Sequence, residues 1–283
     1  MIAQAAARRR GRLRCDRVES FAAWQARCAD ADDRLHRMEQ VEAELFARSP
    51  PIVVEGFCHV CRRASRFTCS SANLREDLVC EGCGLINRLR AALWLFESEC
   101  RPRRHAPIYV TEQVTSLYRV LAERYPKVRG SEYLGDRVPR GQAADGVRNE
   151  SVTDLTFADG SFSHVLSFEV FEHVPAYRDA FAECARVLRP GGTMVFSVPF
   201  LRDAPATLVR ARVRPDGSVE HLLEPEYHGD PLTVDGCLCY QHFGWDLLDD
   251  LRAAGFARAW ACVYWSERFA YLGGEQIQFV AVR

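Results

Sequence analysis

Twelve cysteines stand in this chain of 283 residues, and four of them have the spacing of metal ligands. Cys58-His59-Val60-Cys61 and Cys80-Glu81-Gly82-Cys83 form two C-x2-C turns separated by eighteen residues. Each such turn folds back so that two thiolates face one ion, and two turns complete a tetrahedron. Four thiolates suit zinc, and a closed set leaves no position for water, so the expected role is structural. Cys58, Cys61, Cys80 and Cys83 are the predicted zinc ligands, with His59 and Cys69 as spare donors. The remaining cysteines read as small apolar fillers in a reducing, cytoplasmic compartment rather than as disulfides.

A second group of residues could do chemistry on an organic ligand. Thr111, Glu112 and Gln113 end the first predicted strand of the C-terminal part. Glu132, followed by Tyr133 and Leu134, ends the second. An acid at that position accepts hydrogen bonds from ribose hydroxyls in dinucleotide folds. The plainer reading is an exposed turn acid. Phe168, Glu169 and Val170 follow a later strand, where ligands sit at the carboxyl ends of a parallel sheet. His173 lies one turn further, as either a general base or a packing histidine that shapes the pocket floor. Tyr227 and His228 lie in Glu226–Pro231, and Cys239–Asp246 adds further polar groups. Clustered His, Tyr and acids are what deprotonation of an acceptor needs, although loop polarity alone also accounts for them.

These groups need elements to hold them. Residues 16–47 lack Gly and Pro and show helical spacing of apolar residues, which predicts one long amphipathic helix. Its apolar stripe must be buried on the body or on a second copy of the chain, which would make a homodimer. Residues 86–98 predict another helix. From residue 106 onward, strand and helix patterns alternate, the signature of a doubly wound α/β sheet. Strands are expected at 107–111, 128–132, 146–150, 163–168 and 193–198, with helices at 115–124 and 177–188. Residues 201–240 read as a loop-dominated insertion. A helix over 244–254 and a strand pair at 257–265 and 275–282 complete the pattern. The predicted organisation is a helical arm (1–52), a ribbon with a linker helix (53–104) and an α/β domain (105–283).

The stretch Val152–Phe200 resembles class I S-adenosylmethionine-dependent methyltransferases of the type 11 group. Three ordered motifs carry the resemblance: Leu155–Ser163 before strand four, Glu172-His173-Val174 after it, and Arg186-Val187-Leu188-Arg189-Pro190-Gly191-Gly192. The likeness spans roughly residues 106–283. It implies a Rossmann-like seven-stranded sheet with a reversed last strand, S-adenosylmethionine as cofactor, and the 201–240 insertion as a lid. It also implies that Ser151 and Val152, after strand three, join the cofactor-binding residues already named. One departure stands out. The family's glycine-rich loop after strand one is replaced by Thr111-Glu112-Gln113-Val114-Thr115-Ser116. Either side chains there take over the work of the missing glycine amides, or cofactor binding has been lost and the domain is a scaffold.

Charge bears on the acceptor. Residues 58–104 hold nine arginines against five acids, a surplus of +4, whereas residues 105–283 carry −6. A small-molecule acceptor of bacterial secondary metabolism is expected under the lid. The alternative is an RNA base reached by way of the basic ribbon. No apolar run has membrane-spanning length, and no secretory signal is read at the N-terminus.

Overall fold

The computed structural model describes Leu13, residues 15–30 and residues 33–283. The chain opens with strand β1 (Cys15–Val18), helix α1 (Phe21–Ala29) and helix α2 (Asp33–Phe46). The single helix expected over 16–47 is therefore replaced by a strand and two helices. Ser20 starts α1 as an N-cap, its hydroxyl accepting from Ala23 N, and Asp30 leaves the helix in an extended conformation. Residues 15–18 are drawn instead into the main sheet. The arm's apolar side chains lie on the body: Trp24 stacks on Trp245 at 5.9 Å, and Val41 and Leu45 are buried in the core.

The ribbon consists of β2 (Ile52–Cys58), β3 (Arg63–Cys69), a single helical turn α3 (Leu74–Asp77) and β4 (Leu78–Cys80), with strand order β2-β3-β4. Helix α4 (Asn87–Leu95) follows and runs on as a wider π turn to Cys100. The α/β part then comprises β5 (Ile108–Val110), α5 (Ser116–Arg124), β6 (Val128–Gly130), β7 (Phe162–Phe168), α6 (Tyr177–Val187), β8 (Leu188–Ser197), α7 (Leu247–Ala253), β9 (Arg258–Ser266) and β10 (Tyr271–Val282).

The main sheet has seven strands in the order β1-β9-β10-β8-β7-β5-β6. Strands β8, β7, β5 and β6 are parallel, and β10 runs antiparallel to β8, giving the reversed last strand. The seven strands are not the set expected. The strand predicted over 146–150 is reduced to a small hairpin (143–144 with 147–148) and one parallel bridge, Glu132 to Asn149. The seventh strand is β1, which pairs antiparallel with β9. From β5 the chain passes to β6 on one side and then to β7 on the other. This reversal opens a crevice at the carboxyl ends of β5 and β7.

Side chains alternate along each buried strand. Ile108, Val110, Leu166, Val195 and Val280 face one side of the sheet. Tyr109, Val165, Met194, Phe196 and Phe279 face the other, against α6 and α7. The first side is covered by the ribbon: Ile52, Cys58, Phe67, Leu74 and Leu78 belong to the same core cluster as Ile108 and Val280. The insertion is less loop-like than expected. It carries two small hairpins, pairing 211–213 with 219–221 and 227–228 with 237–238, enclosed by a third antiparallel pairing of 208–209 with 241–242. Among the described residues no helix is long and apolar enough to cross a membrane.

Arg90 is fully buried where ribbon and sheet meet. Its guanidinium donates to the carbonyls of Phe269 and Ala270, each at 2.9 Å, and lies 4.2 Å over the Phe67 ring. Arg90→Met keeps the apolar stem but leaves two buried carbonyls unpaired. A loss of roughly 2–4 kcal/mol is expected, measured by urea unfolding; an unchanged midpoint would show that this contact does not bind ribbon to sheet.

Candidate active site

The loop after β5 contains no glycine, and side chains hold it in place. Glu132, just past β6, accepts hydrogen bonds through Oε1 from Gln113 N at 2.6 Å and Val114 N at 2.9 Å. The Gln113 amide reaches across to the neighbouring hairpin, donating to Gly146 O at 2.8 Å and accepting from Arg148 N at 2.9 Å. Thr111 donates to Ser167 Oγ at 2.9 Å, tying β5 to β7, and Thr115 caps α5 by accepting from Tyr118 N. A glycine is still needed, but one strand over. A Cβ on Gly130 would lie 2.5 Å from Glu112 O and 2.6 Å from the Tyr118 ring.

Glu112 has a buried Oε1 with no hydrogen-bond partner among the described residues. Burial pushes its pKa up to about 7, against the opposing pull of Thr115 and Arg88. Across the crevice, Glu169 sits at φ +55°, a left-handed conformation costly for a non-glycine residue. It is held there by its amide, which donates to Ser197 O at 2.9 Å. Its carboxylate meets Arg75 Nη2 at 3.0 Å, with Arg88 Nε at 3.7 Å. Burial opposes its ionisation, but Arg88 and Arg75 hold Glu169 below the usual carboxylate range. Glu76 pairs with Arg88 at 2.9 Å. Both arginines come from the ribbon side, from α3 and α4.

The structure thus brings Thr111, Glu112, Gln113, Glu132 and Glu169 to one crevice, beside Phe168 and Val170. Tyr133 lies at its rim, 63% exposed. Leu134 N donates to Asn149 Oδ1 at 2.7 Å. Ser151 shares a hydrogen bond with Thr153, and Val152 packs against the core. Glu150, beside Ser151, is turned inward, accepting from Thr156 N at 2.9 Å and pairing with Arg148 at 2.7 Å.

The turn after β7 and the insertion make a second cluster. His173 and His228 meet edge to face, with centroids 4.9 Å apart, while Tyr227 is 59% exposed. Glu172 lies between the two imidazoles and is fully buried. Burial pushes Glu172 up to about 7 and lowers His173, whereas Glu172 and then Glu226 raise His228 to about 9 against its own burial. Glu226 also meets His242 Nε2 at 3.1 Å. The insertion is pinned here by Tyr240 N donating to Glu172 O and by Gln241 Nε2 donating to Phe171 O. Asp230 of the insertion lies near enough to both Glu132 and His173 to act on each electrostatically. Sequence reasoning passed over Arg75, Arg88 and the part played by Glu172. Glu172 stood inside a quoted motif, while nothing in the local pattern around the two arginines marks them.

In the ribbon, the four sulfurs of Cys58, Cys61, Cys80 and Cys83 lie within 4.8 Å of one another. The Cys58–Cys83 and Cys61–Cys80 separations are both 3.8 Å. A tetrahedron with metal–sulfur bonds of about 2.3 Å has edges of about that length. His59 is excluded from the set: it stacks on Phe269 at 4.1 Å, its Nδ1 meets Tyr271 Oη at 3.1 Å, and burial lowers its pKa to about 4.

The chain is similar to known proteins over part of its length. Residues 113–196 match the family model described as a methyltransferase domain. Over 53 residues, 19% of this chain, it is 38% identical to a protein of Mycolicibacterium smegmatis described as a probable S-adenosylmethionine-dependent methyltransferase. The chain spans about a fifth, 21%, of that relative's length. Among solved structures, it is similar to an S-adenosylmethionine-dependent methyltransferase from Mesorhizobium loti, with 18% identity, TM-score 0.41, and coverage of 68% of this chain and 98% of that one. It is also similar to the 1,6-didemethyltoxoflavin-N1-methyltransferase of Burkholderia thailandensis, with 16% identity, TM-score 0.40, and coverage of 69% and 77%. The segment similar to a methyltransferase domain thus lies within the seven-stranded, Rossmann-like sheet.

Proposed function

We propose that the chain transfers a methyl group from S-adenosylmethionine to a small-molecule acceptor held beneath the 201–240 segment. The observation that carries this reading is the orphaned, buried Glu112 Oε1 at the carboxyl end of β5, close to Arg88 and Glu132 and, through Arg88, to Glu169. Such an arrangement fits a zwitterionic amino-acid end: a carboxylate oxygen lacking a donor for an ammonium, and arginines for a carboxylate. When bound, the cofactor supplies an electrophilic sulfonium methyl group. Glu112 and Arg88 would hold its amino-acid end, Glu132 its ribose, and Tyr133 and Leu134 would flank its adenine. Phe168 and Val170 exclude water from the crevice. The protein's main contribution is proximity and orientation, with His173 and His228 lining the acceptor side.

Calorimetry on the full chain tests this reading. Binding of both S-adenosylmethionine and S-adenosylhomocysteine is expected. Glu112→Ala and Glu132→Ala should each weaken it by about 1–3 kcal/mol, the cost of leaving polar partners unpaired. A wild-type chain that binds neither compound would be a scaffold.

The reading of the four cysteines is a structural zinc ion. Metal analysis after dialysis is expected to find about one tightly held equivalent per chain. Cys58→Ser should lower the melting temperature, because binding free energy in such a site is folding free energy. Metal-free protein that melts unchanged would contradict it.

For the acceptor, the exposed ribbon arginines support an RNA base and the insertion supports a small molecule. An enclosed site under the 201–240 segment recognises by shape and a few polar groups, so His228→Ala should cut turnover by about 100-fold, and replacing Arg62, Arg63 and Arg66 by Gln should leave it unchanged. RNA binding that falls steeply with salt, together with indispensable ribbon arginines, would reverse this choice.

A further inference from the structure

Glu172 presents an unsolved electrostatic problem. It is fully buried, and among the described residues neither carboxylate oxygen has a hydrogen-bond donor. Two ring nitrogens, His173 Nε2 and His228 Nδ1, each lie 3.6 Å from Glu172 Oε1. That distance is too long for a hydrogen bond.

The other nitrogen of each ring is already committed. His173 Nδ1 lies 2.9 Å from Leu238 O, and His228 Nε2 lies 2.9 Å from Glu226 Oε1. Carbonyl and carboxylate oxygens only accept, so those two nitrogens carry the protons. With the rings neutral, two lone pairs would turn toward a carboxylate that also has only lone pairs to offer. Three donors of one kind would then converge with nothing between them to receive their electron density. A positive centre resolves this.

The two 3.6 Å separations from Glu172 match those of ligands gathered on one ion. Glu172, His173 and His228 offer one atom each, all within 4.8 Å. Donors about 2.0–2.2 Å from a shared metal stand roughly 3–3.6 Å apart. The outer contacts have the same logic: ligating imidazoles donate their second N–H to a carbonyl or a carboxylate, which fixes tautomer and ring orientation. Glu226 is itself fixed, by Arg210 Nη2 at 3.1 Å and His242 Nε2 at 3.1 Å. The backbone holds the pieces in register, with Tyr240 N donating to Glu172 O and Cys239 N to Glu226 O, both at 2.8 Å.

We propose that Glu172, His173 and His228 bind one divalent first-row transition-metal ion, separate from the four-cysteine site. Two imidazoles and a carboxylate suit zinc, iron, cobalt or manganese better than magnesium or calcium. Three protein ligands leave at least one open position, so the ion can take an oxygen or nitrogen donor from outside the protein. The competing occupant is a single proton on His228, which would pair its ring with Glu172 and Glu226.

The test uses the full chain with its cysteine site already loaded with zinc, titrated with Co2+ and followed by visible absorption and calorimetry. One additional equivalent is expected, with ligand-field bands and without a thiolate charge-transfer band. Glu172→Gln and His173→Ala should lose that equivalent. Glu226→Gln, which removes only an outer partner, should weaken it about 10–100-fold. Each variant should keep its cysteine-bound zinc, which reports that the fold is intact. If Glu172→Gln fails to fold, His228→Asn serves in its place. No second equivalent in the wild type means that a proton holds the cluster and overturns the proposal. So does wild-type Co2+ affinity in Glu172→Gln or His228→Asn. The readout is metal occupancy, so its failure leaves the methyl-transfer reading standing.

Discussion

The buried guanidinium of Arg90 is the contact on which the rest of the molecule turns. Its two hydrogen bonds to the β9–β10 hairpin fix the ribbon against one face of the main sheet. A charge so deep in a core is tolerated only where fixed dipoles and an aromatic face replace water. Once the ribbon is seated, α3 and α4 have little choice of position. Asn87 reinforces the seating by donating to Leu74 O at 3.0 Å and Leu272 O at 2.7 Å. Arg75 and Arg88 then arrive at the open end of the crevice, where they meet Glu169. The four-cysteine module is thus also a wall of the site.

The crevice solves a local problem by unusual means. Glycines ordinarily let backbone amides approach an anionic or polar ligand closely. Here Val114 and its neighbours cannot offer that approach, and the Gln113 and Val114 amides are spent on Glu132. The donors and acceptors left for a ligand are side chains: an acid with one empty oxygen and a pair of arginines. Recognition by side chains costs more conformational entropy than recognition by a fixed loop, unless the side chains are already anchored. Glu76, Glu169 and the burial of Arg88 supply that anchoring.

Much of this was legible in the residues. The two C-x2-C turns announced a four-sulfur cluster, because that spacing has few other uses in a chain of this kind. The run from Phe162 to Ser197 disclosed strand, helix and strand through its periodicity and its Arg-Pro-Gly-Gly turn. His173 and His228 were each singled out, but their meeting at Glu172 depends on a contact spanning more than fifty residues of the chain, which no local pattern encodes. Strand β1 was hidden for a related reason. Cys15–Val18 is too short to establish an alternation of its own, and it becomes a strand only because β9 offers a free edge. The third expected strand failed in the opposite sense, since the Asp145-Gly146 turn folds 143–148 on itself and leaves one bridge to the sheet.

That borrowed strand has a consequence for behaviour in a crowded solution. A sheet's outermost strands expose unpaired amides and carbonyls, a ready template for another chain to dock upon and for aggregates to grow. The nine-residue β9 would be such a template. Instead it is sheathed by β1, four residues long, while the opposite margin is β6, only three residues long. Both borders are too brief to propagate a ladder. The N-terminal arm, whatever else it does, works as a selvage that keeps the fabric of the sheet from being extended by a neighbour.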